Sequence, residues 1–328
     1  MNLKEYDKKL ELLIDKLKEF ETVSADKDYE VLKILFDKVY LSGVLDITTL
    51  AKDLQDKYKL ILFTALSQIS GTLAFLVIQI LAANNIMAKN QYKKKEFYLK
   101  RMCGIAINHL RAPVTVVSGI KCEGGYLLNG TLTWASGYKI FDTLLIGFHF
   151  LGSELEAMAD FKNSDNFSIG QADDTFVGNG LNTVNIDLKD YFVKDEDIVS
   201  SQLMGNYTKV KSASKTVHFC IYGLGICAIE NIRDDLFKEV ASKKLENIKN
   251  IFMESNDLER LDKLRVELFV MVQDIVTTSM VLNGGRSILS NSIFQRLYRE
   301  LIMFNSNGLN NDLKLIFKER FLDKSYSE

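Results

Sequence analysis

The sequence predicts an α+β protein of several domains, in which helices come first, strands follow and helices return. Two observations predict this class. Apolar residues recur at helical spacing over the first hundred residues and again from about residue 212. Between these parts, short runs rich in β-branched and aromatic residues are separated by glycine-containing turns. Because strands and helices form blocks and do not alternate, a doubly wound sheet is excluded, and we place the domains at 1–99, 100–205 and 206–328.

Composition and charge restrict the class of protein. The chain has 328 residues, of which 47% are hydrophobic and 26% charged, and these values are ordinary for a folded globular protein. The 41 basic and 43 acidic residues nearly cancel, so no overall positive field would attract nucleic acid. The four cysteines lack C-x-x-C spacing and the first residues lack an apolar signal-peptide core, so we expect reduced thiols and a cytoplasmic location.

The first domain is predicted to be helical from its beginning. One apolar stripe, with Lys and Glu opposite, is formed by Leu3, Tyr6, Leu10, Leu13, Leu17 and Phe20. Further helices are predicted at about 26–42, 46–58 and 59–86. Since no proline interrupts this region, we expect long helices.

The apolar segment 61–87 has a composition close to that of a membrane-spanning helix. Polar residues interrupt it, among them Gln68 and Gln79. We therefore predict a pair of buried core helices with a break near Ser70 and Gly71, and no membrane span.

Three runs in the second domain have the composition of strands and end at turn residues. They are residues 126–134 (YLLNGTLTW), 142–150 (DTLLIGFHF) and 182–188 (NTVNIDL). The only proline of the chain, Pro113, lies at the start of this domain.

The third domain is predicted to be helical. One apolar stripe joins Val217, Ile221 and Leu224, and a long apolar run covers residues 266–282. The charged stretch between them is predicted to be helical with a turn near Ser255.

Several kinds of site are excluded by the motifs that the chain lacks. The three histidines, His109, His149 and His218, form no H-E-x-x-H pattern, and without paired cysteines they predict no zinc site. The sequence contains neither a Walker A lysine after a glycine nor a G-x-S-x-G elbow.

Three segments of the central domain follow one another in an order typical of one enzyme family. Residues 123–130 (EGGYLLNG) fit a Gly-Gly hairpin, residues 133–137 (TWASG) fit a tryptophan segment ending in Ser-Gly, and residues 142–147 (DTLLIG) open a strand with Asp. In this order, after a helical domain, they resemble the β-domain signature of the acyl-CoA dehydrogenase superfamily.

Flanking segments agree with this resemblance. Residues 71–75 (GTLAF) with Gln79 resemble the family's helix beneath the active site, and residues 178–187 (GNGLNTVNID) resemble a strand of its β domain. Residues 283–286 (NGGR) and 295–300 (QRLYRE) resemble its C-terminal "G-G-x-G … R-x-x-R-D" segment. The chain thus resembles a divergent, shortened member of the family over nearly its whole length.

The resemblance implies a helical domain, a barrel-like β domain and a C-terminal helical bundle, with bound FAD, or FMN as the alternative. Its implied cofactor contacts are Asn108, Trp134, Ala135, Ser136, Gly137, Gly284 and Gly285. It also implies a homodimer or homotetramer, since the family's C-terminal helices pack across subunits. Two simpler interpretations stay open: Trp134 as a core aromatic residue, and the Gly284-Gly285 pair as a helix C-cap.

The sequence departs from the family where a catalytic base is needed. The dehydrogenase reaction requires a carboxylate to remove a proton, and the family's two positions for this Glu fall at or near Asn305 and near Lys215. The family's "T-E-P-x-x-G-S-D" element is replaced by residues 108–113 (NHLRAP). There His109 is the candidate acid or base, with a structural histidine as the alternative, and Arg111 suits a carboxylate or phosphate.

The function that the resemblance implies is a flavin-dependent oxidation of an acyl-CoA or similar small organic substrate. A reduced-flavin-dependent monooxygenase of the same fold is one alternative, which the missing Glu favours. A scaffold that has lost flavin or catalysis is another. The sequence identifies neither the substrate nor the electron-transfer partner or flavin reductase.

Overall fold

The structure, a computed structural model of the chain, describes residues 3–20, 22–47, 52–112, 114–209, 214–306 and 311–325. Pro113 lies outside the described residues. Within these ranges the helices are α1 Leu3–Lys18, α2 Tyr29–Ser42, α3 Lys52–Ile69, α4 Gly71–Lys89, α5 Lys95–Tyr98, α6 Asn206–Lys209, α7 Thr216–Glu230, α8 Asp235–Glu254, α9 Leu258–Asn283, α10 Ile293–Ser306 and α11 Asn311–Ser325. The strands are β1 Cys103–Ala106, β2 Val117–Cys122, β3 Gly125–Ala135, β4 Thr143–Phe150, β5 Ser153–Asp160, β6 Phe167–Ile169, β7 Val184–Lys194 and β8 Ile198–Leu203.

The predicted order of helices, strands and helices is confirmed. One predicted boundary is wrong: no helix ends at residue 58, because α3 continues from Lys52 to Ile69. The apolar stripe of α3 runs through Tyr58 and Leu62, both buried, so packing extends the helix across that point. The break predicted near Ser70 and Gly71 is confirmed, since α3 ends at Ile69 and α4 begins at Gly71.

Two helical stretches are long and apolar enough to cross a membrane by length and composition, Gly71–Lys89 and Leu258–Ile288. The structure buries 67% of the apolar window in the first and 39% in the second. A core helix passes the same test of length and hydropathy. The absence of a membrane span therefore stays a prediction, and the burial of α4 agrees with it.

The contacts divide the chain into two compact units. Unit 1 comprises residues 1–26, 50–74 and 212–328, and unit 2 comprises residues 27–49 and 75–211. Both units combine segments that are far apart in the sequence. The domain boundaries placed at residues 100 and 206 stay a prediction.

Unit 2 contains one mixed sheet, whose strands lie in the order β6-β7-β3-β2-β4-β5-β8, with β1 beside β4. β1 and β2 run parallel to β4, and the other neighbours are antiparallel. The register of β1 on β4 pairs Ala106 with Ile146. Strand β1 therefore ends beside the middle of β4, so the residues that follow Ala106 lie next to Gly147.

Helix α2 belongs to unit 2 although it precedes the sheet by sixty residues. The ring of Phe36 packs edge-on against Phe141 at 5.4 Å between centroids. The hydroxyl of Tyr29 donates to the Lys139 carbonyl at 3.1 Å. These contacts fasten the chain that follows β3, which carries part of the candidate site.

In unit 1 the junction between α3 and α4 is held by a buried carboxylate. Glu300 Oε1 accepts from the Ser70 hydroxyl at 3.0 Å and from the Thr72 backbone N–H at 3.1 Å. A Cβ on Gly71 would lie 3.0 Å from the Glu300 side chain, so the close approach at this break requires a residue without a side chain. Ser70 and Thr72 thus satisfy a helix end that would otherwise leave polar groups buried.

Two arginines of α10 complete this junction. Arg296 donates to the carbonyls of Gln68 at 2.8 Å and of Ile69, and so caps the C-terminus of α3. Arg299 forms a buried bidentate ion pair with Asp26 at 2.7 and 3.0 Å. The arginine pattern of residues 295–300 therefore has a structural role within unit 1.

Candidate functional site

Trp134 lies at the end of β3 in a backbone conformation that tryptophan rarely adopts. Its φ is +59°, in the left-handed region, and the pairing of β3 with β7 shifts register between Leu132 and Ala135. The side chain is 59% exposed, which contradicts the interpretation of Trp134 as a core aromatic residue. A strained position that presents a large aromatic ring to solvent is typical of a ligand contact.

The segment after Trp134 is held by the chain that leads into β7. The Trp134 N–H donates to Asn185 Oδ1 at 3.3 Å, and the Ser136 and Thr183 hydroxyl oxygens are 2.8 Å apart. The Gly137 N–H donates to the Leu181 carbonyl at 2.7 Å. Ala135 is fully buried. The backbone N–H groups of Trp134 and Gly137 thus donate to other groups of the protein and are not free to donate to a ligand.

Gly137 is required by its surroundings. Its φ is +85°, and a Cβ at this position would lie 2.3 Å from Cδ2 of Phe141. A substituted residue would therefore be strained in its backbone and would clash with the ring. This glycine keeps the turn after β3 tight against Phe141.

Asn108 and His109 begin the 3-10 turn Asn108–Arg111, directly after β1. His109 is buried, and its Nε2 lies 2.8 Å from the Gly147 carbonyl oxygen. Because a carbonyl only accepts, Nε2 carries the proton and Nδ1 holds the lone pair. Burial lowers the pKa of His109 below its ordinary value, against a smaller opposing effect of the bond to Gly147. The ring is therefore neutral at pH 7 and can accept a proton only through Nδ1.

Asn108 is exposed, unlike its neighbour. Its Oδ1 accepts from Arg111 Nη1 at 3.0 Å. Since the oxygen is used within the turn, the amide nitrogen is the end of this side chain that can donate to a ligand.

Gly284 and Gly285 lie in unit 1, after α9. The Gly284 N–H donates to the Val281 carbonyl and its φ is +60°, so it caps the helix as one of the two sequence interpretations predicts. A Cβ at Gly284 or Gly285 would meet no atom within 4 Å. The backbone is thus accessible here, and a helix cap and a diphosphate contact are compatible.

Neither position that the family uses for its catalytic Glu provides a base. Asn305 is buried, and its Oδ1 has no hydrogen-bond partner among the described residues. Lys215 is buried as well, and its Nζ donates to the Met253 carbonyl at 2.7 Å. The buried carboxylate of α10, Glu300, accepts from Ser70 and Thr72 through Oε1. Its Oε2 lies 3.5 Å from Arg296 Nε and accepts no hydrogen bond from the described residues. Within the described ranges, no group of His, Cys, Asp and Glu could hold a metal ion.

Sequence reasoning missed the residues that support this site. Asn185 and Thr183 fix Trp134 and Ser136, and no pattern in residues 182–188 distinguishes them from solvent-facing strand residues. Two buried carboxylates, Glu154 and Glu156, were also missed. Their signal in the sequence is two acidic residues at alternate positions of an otherwise apolar strand.

Comparison with known proteins identifies the fold but not the reaction. No protein-family model and no curated protein sequence matches the chain. Among solved structures, glutaryl-coenzyme A dehydrogenase in complex with glutaryl-CoA is 13% identical, with 98% of this chain and 96% of that chain covered and a TM-score of 0.76. Nitrososynthase from Micromonospora carbonacea var. africana is 12% identical, with 96% and 95% covered and a TM-score of 0.74.

A third structure carries a flavin. KijD3 in complex with FMN and dTDP-3-amino-2,3,6-trideoxy-4-keto-3-methyl-D-glucose is 12% identical, with 98% of this chain and 93% of that chain covered and a TM-score of 0.73. These matches span nearly the whole chain, so it has the acyl-CoA dehydrogenase fold, and the predicted fold class is confirmed. At such identities the fold is shared while the substrate is free to differ.

Proposed function

We propose that this chain, which has the acyl-CoA dehydrogenase fold, is a flavin-dependent oxidoreductase with the flavin ring against Trp134. The observation that carries the proposal is the exposed indole of Trp134 at a left-handed backbone position, where the backbone N–H donates to the Asn185 side chain. An exposed aromatic face is suited to stacking a planar ring system. The structures of KijD3 with FMN and of glutaryl-CoA dehydrogenase support the choice of cofactor and reaction class.

The residues present fit a flavin. Trp134 offers a stacking face and Asn108 an exposed amide, while the buried Ser136 supports the segment through its hydroxyl contact with Thr183. In a homo-oligomer, the accessible backbone at Gly284 and Gly285 would let the diphosphate of a neighbouring subunit's FAD approach, whereas FMN would not need it. A bound flavin would supply the hydride and electron chemistry, and the protein would supply placement and exclusion of water.

Replacing Trp134 with alanine is expected to weaken flavin binding about 5- to 150-fold, which corresponds to the ~1–3 kcal/mol typical of stacking a planar base on an aromatic ring. Ser136→Trp should lower occupancy further, since Ser136 is buried against Thr183. Fluorescence titration with FAD and with FMN measures both effects. The matched control is Phe176→Ala, which removes another exposed aromatic residue of unit 2.

Equal flavin affinity of Trp134→Ala, Ser136→Trp and the wild type would contradict the placement of the flavin. A wild-type protein that binds neither flavin would instead support the scaffold interpretation.

The substrate class proposed first is an acyl-CoA or similar small organic molecule. A reduced-flavin-dependent monooxygenase is the second candidate, and Asn305 and Lys215 favour it because neither can act as a carboxylate base. Anaerobic mixing with acyl-CoAs separates the two. Bleaching of the flavin supports the dehydrogenase, whereas oxygen consumption that depends on an added flavin reductase supports the monooxygenase.

His109 is proposed as the acid–base residue, acting through Nδ1. With three histidines in the chain, an NMR titration resolves each, and His109→Gln assigns one resonance. We expect the midpoint of His109 below its ordinary value, because burial disfavours the charged ring. His218, whose Nε2 donates to the Leu261 carbonyl, should titrate at a pKa of about 4.

The lowered pKa values of His109 and His218 also determine how the stability of the fold changes with pH. Both rings favour the neutral form in the folded state, so their contribution to stability is present above the unfolded value of ~6.5 and is lost as pH falls towards the folded values. A His109 midpoint at or above 6.5 would contradict the burial that the structure shows.

We also propose a homo-oligomer in a reducing, cytoplasmic compartment. The end of α9 and the following turn expose four large apolar side chains, Val281, Leu282, Ile288 and Leu289. An apolar surface of this kind is usually covered by a partner. All four cysteines are free thiols, which agrees with a reducing compartment.

A further inference from the structure

Arg111 is an exposed arginine of unit 2 that forms no ion pair with a carboxylate of the described residues; its contacts there are with Asn108 and Tyr207. Its Nη1 donates to Asn108 Oδ1 at 3.0 Å, and its Cζ lies over the Tyr207 ring, 5.8 Å from the centroid. A guanidinium has five N–H donors, so most of them are free to bind a ligand.

The surface on which Arg111 lies is fixed by buried groups. The Tyr207 hydroxyl donates to Glu156, and the Tyr207 N–H donates to Glu154 Oε2 at 3.1 Å. Glu154 also accepts from the Gly205 N–H at 2.7 Å. Both carboxylates are buried, and their oxygens are occupied by these donors and by the Ser200 hydroxyl. Tyr207 is therefore held through its hydroxyl and its backbone N–H, and the guanidinium of Arg111 lies over the face of its ring.

Arg101, another arginine of unit 2, has a carboxylate partner and serves as the comparison for Arg111. It also stacks on an aromatic ring, with Cζ 5.6 Å from the Phe97 centroid. Its Nη1, however, lies 3.3 Å from Asp160 Oδ1. Arg111 has the same kind of stacking without the carboxylate, so a position for an anion is left open beside it.

We propose that Arg111, in the turn that carries His109, forms an anion subsite that binds a carboxylate or phosphate group of the substrate. The substrate is then an anionic molecule. Planar guanidinium groups bind both kinds of oxyanion through paired hydrogen bonds. Here the guanidinium is already held in position before a ligand binds. This inference rests on the proposed function, because it takes the bound anion to be part of a substrate. The subsite itself can be tested without flavin.

The ligands named in the related structures agree with this substrate class. Glutaryl-CoA and the dTDP-sugar both carry a diphosphate, and the glutaryl group adds a carboxylate. The subsite of this chain would take one of these two anions, and the experiment below distinguishes them.

Isothermal titration with three probes tests the subsite: dTDP for a diphosphate, glutarate for a carboxylate and thymidine as the uncharged reference. Arg111→Gln is expected to bind at least one of the two anions ~10- to 100-fold more weakly than the wild type, the range for losing hydrogen bonds to a charged group. Arg111→Lys keeps the positive charge but not the planar pair of N–H donors, so its loss of anion affinity should be smaller than that of Arg111→Gln. The matched control, Arg101→Gln, should bind both anions like the wild type.

The probe whose affinity depends on Arg111 identifies the anion. All three titrations use flavin-free protein, which separates this inference from the flavin site. A protein that fails to bind flavin but loses anion affinity in Arg111→Gln refutes the proposed function and retains the subsite. The subsite is refuted if neither anion binds the wild type, if Arg111→Gln binds every anion that the wild type binds with unchanged affinity, or if dTDP is the only anion that binds and thymidine binds as tightly.

Discussion

Replacing Glu300 with alanine is expected to lower the free energy of unfolding by about 3–5 kcal/mol, the range for removing one partner of a buried ion pair. Arg296 Nε lies 3.5 Å from Glu300 Oε2, and the two side chains are 1% and 0% exposed. Without the carboxylate, the buried guanidinium loses its charged partner and keeps only bonds to neutral groups, among them the Gln68 and Ile69 carbonyls. Ser70 and Thr72 also lose their acceptor. Urea denaturation with an unchanged slope measures the loss.

Glu300→Gln separates the two contributions. The amide oxygen can still accept from Ser70 and Thr72, so this variant should lose less stability than Glu300→Ala. The control is Glu239→Ala, which breaks an exposed pair with Lys243 on α8 and should change stability little. A loss below about 1 kcal/mol in Glu300→Ala would show that Arg296 does not depend on this carboxylate.

Gly137→Ala is expected to lower the free energy of unfolding by about 2–5 kcal/mol. The left-handed backbone contributes about 1–2 kcal/mol of this and the clash of the new Cβ with Phe141 about 1–3 kcal/mol. Gly152→Ala is a matched control, because Gly152 has a φ of +77° but its Cβ would meet no atom within 4 Å. It should therefore show the backbone contribution alone.

A double-mutant cycle isolates the clash. In a Phe141→Leu background, Gly137→Ala should lose less stability than in the wild type, because the smaller side chain leaves room for the Cβ. If Gly137→Ala and Gly152→Ala lose the same amount, the close approach to Phe141 does not restrict this position. Flavin titration of Gly137→Ala, at a temperature where it stays folded, reports whether the turn also positions Ser136.

For the candidate site, the sequence identified positions but not environments. The segment Trp134 to Gly137 was found from its resemblance to a flavin-binding family, and the structure adds the exposed indole and a position, Gly137, that only glycine fits without strain. His109 was chosen because imidazole titrates near neutral pH. Its burial against Gly147, which lowers the pKa of the ring, depends on the register of β1 on β4 and so could not be derived from neighbouring residues.

Local patterns by themselves determined the order of helices and strands, since side-chain periodicity of 3.6 or 2 residues is visible within a few turns of chain. They also located the break at Ser70 and Gly71, where small and polar residues interrupt an apolar run. Only the tertiary structure decided what stabilises that break, because its acceptor, Glu300, is 230 residues away from Ser70 in the sequence. The same holds for Arg111, whose stacking partner Tyr207 lies on α6. Contacts between residues so far apart depend on how whole elements pack, and no local periodicity encodes them.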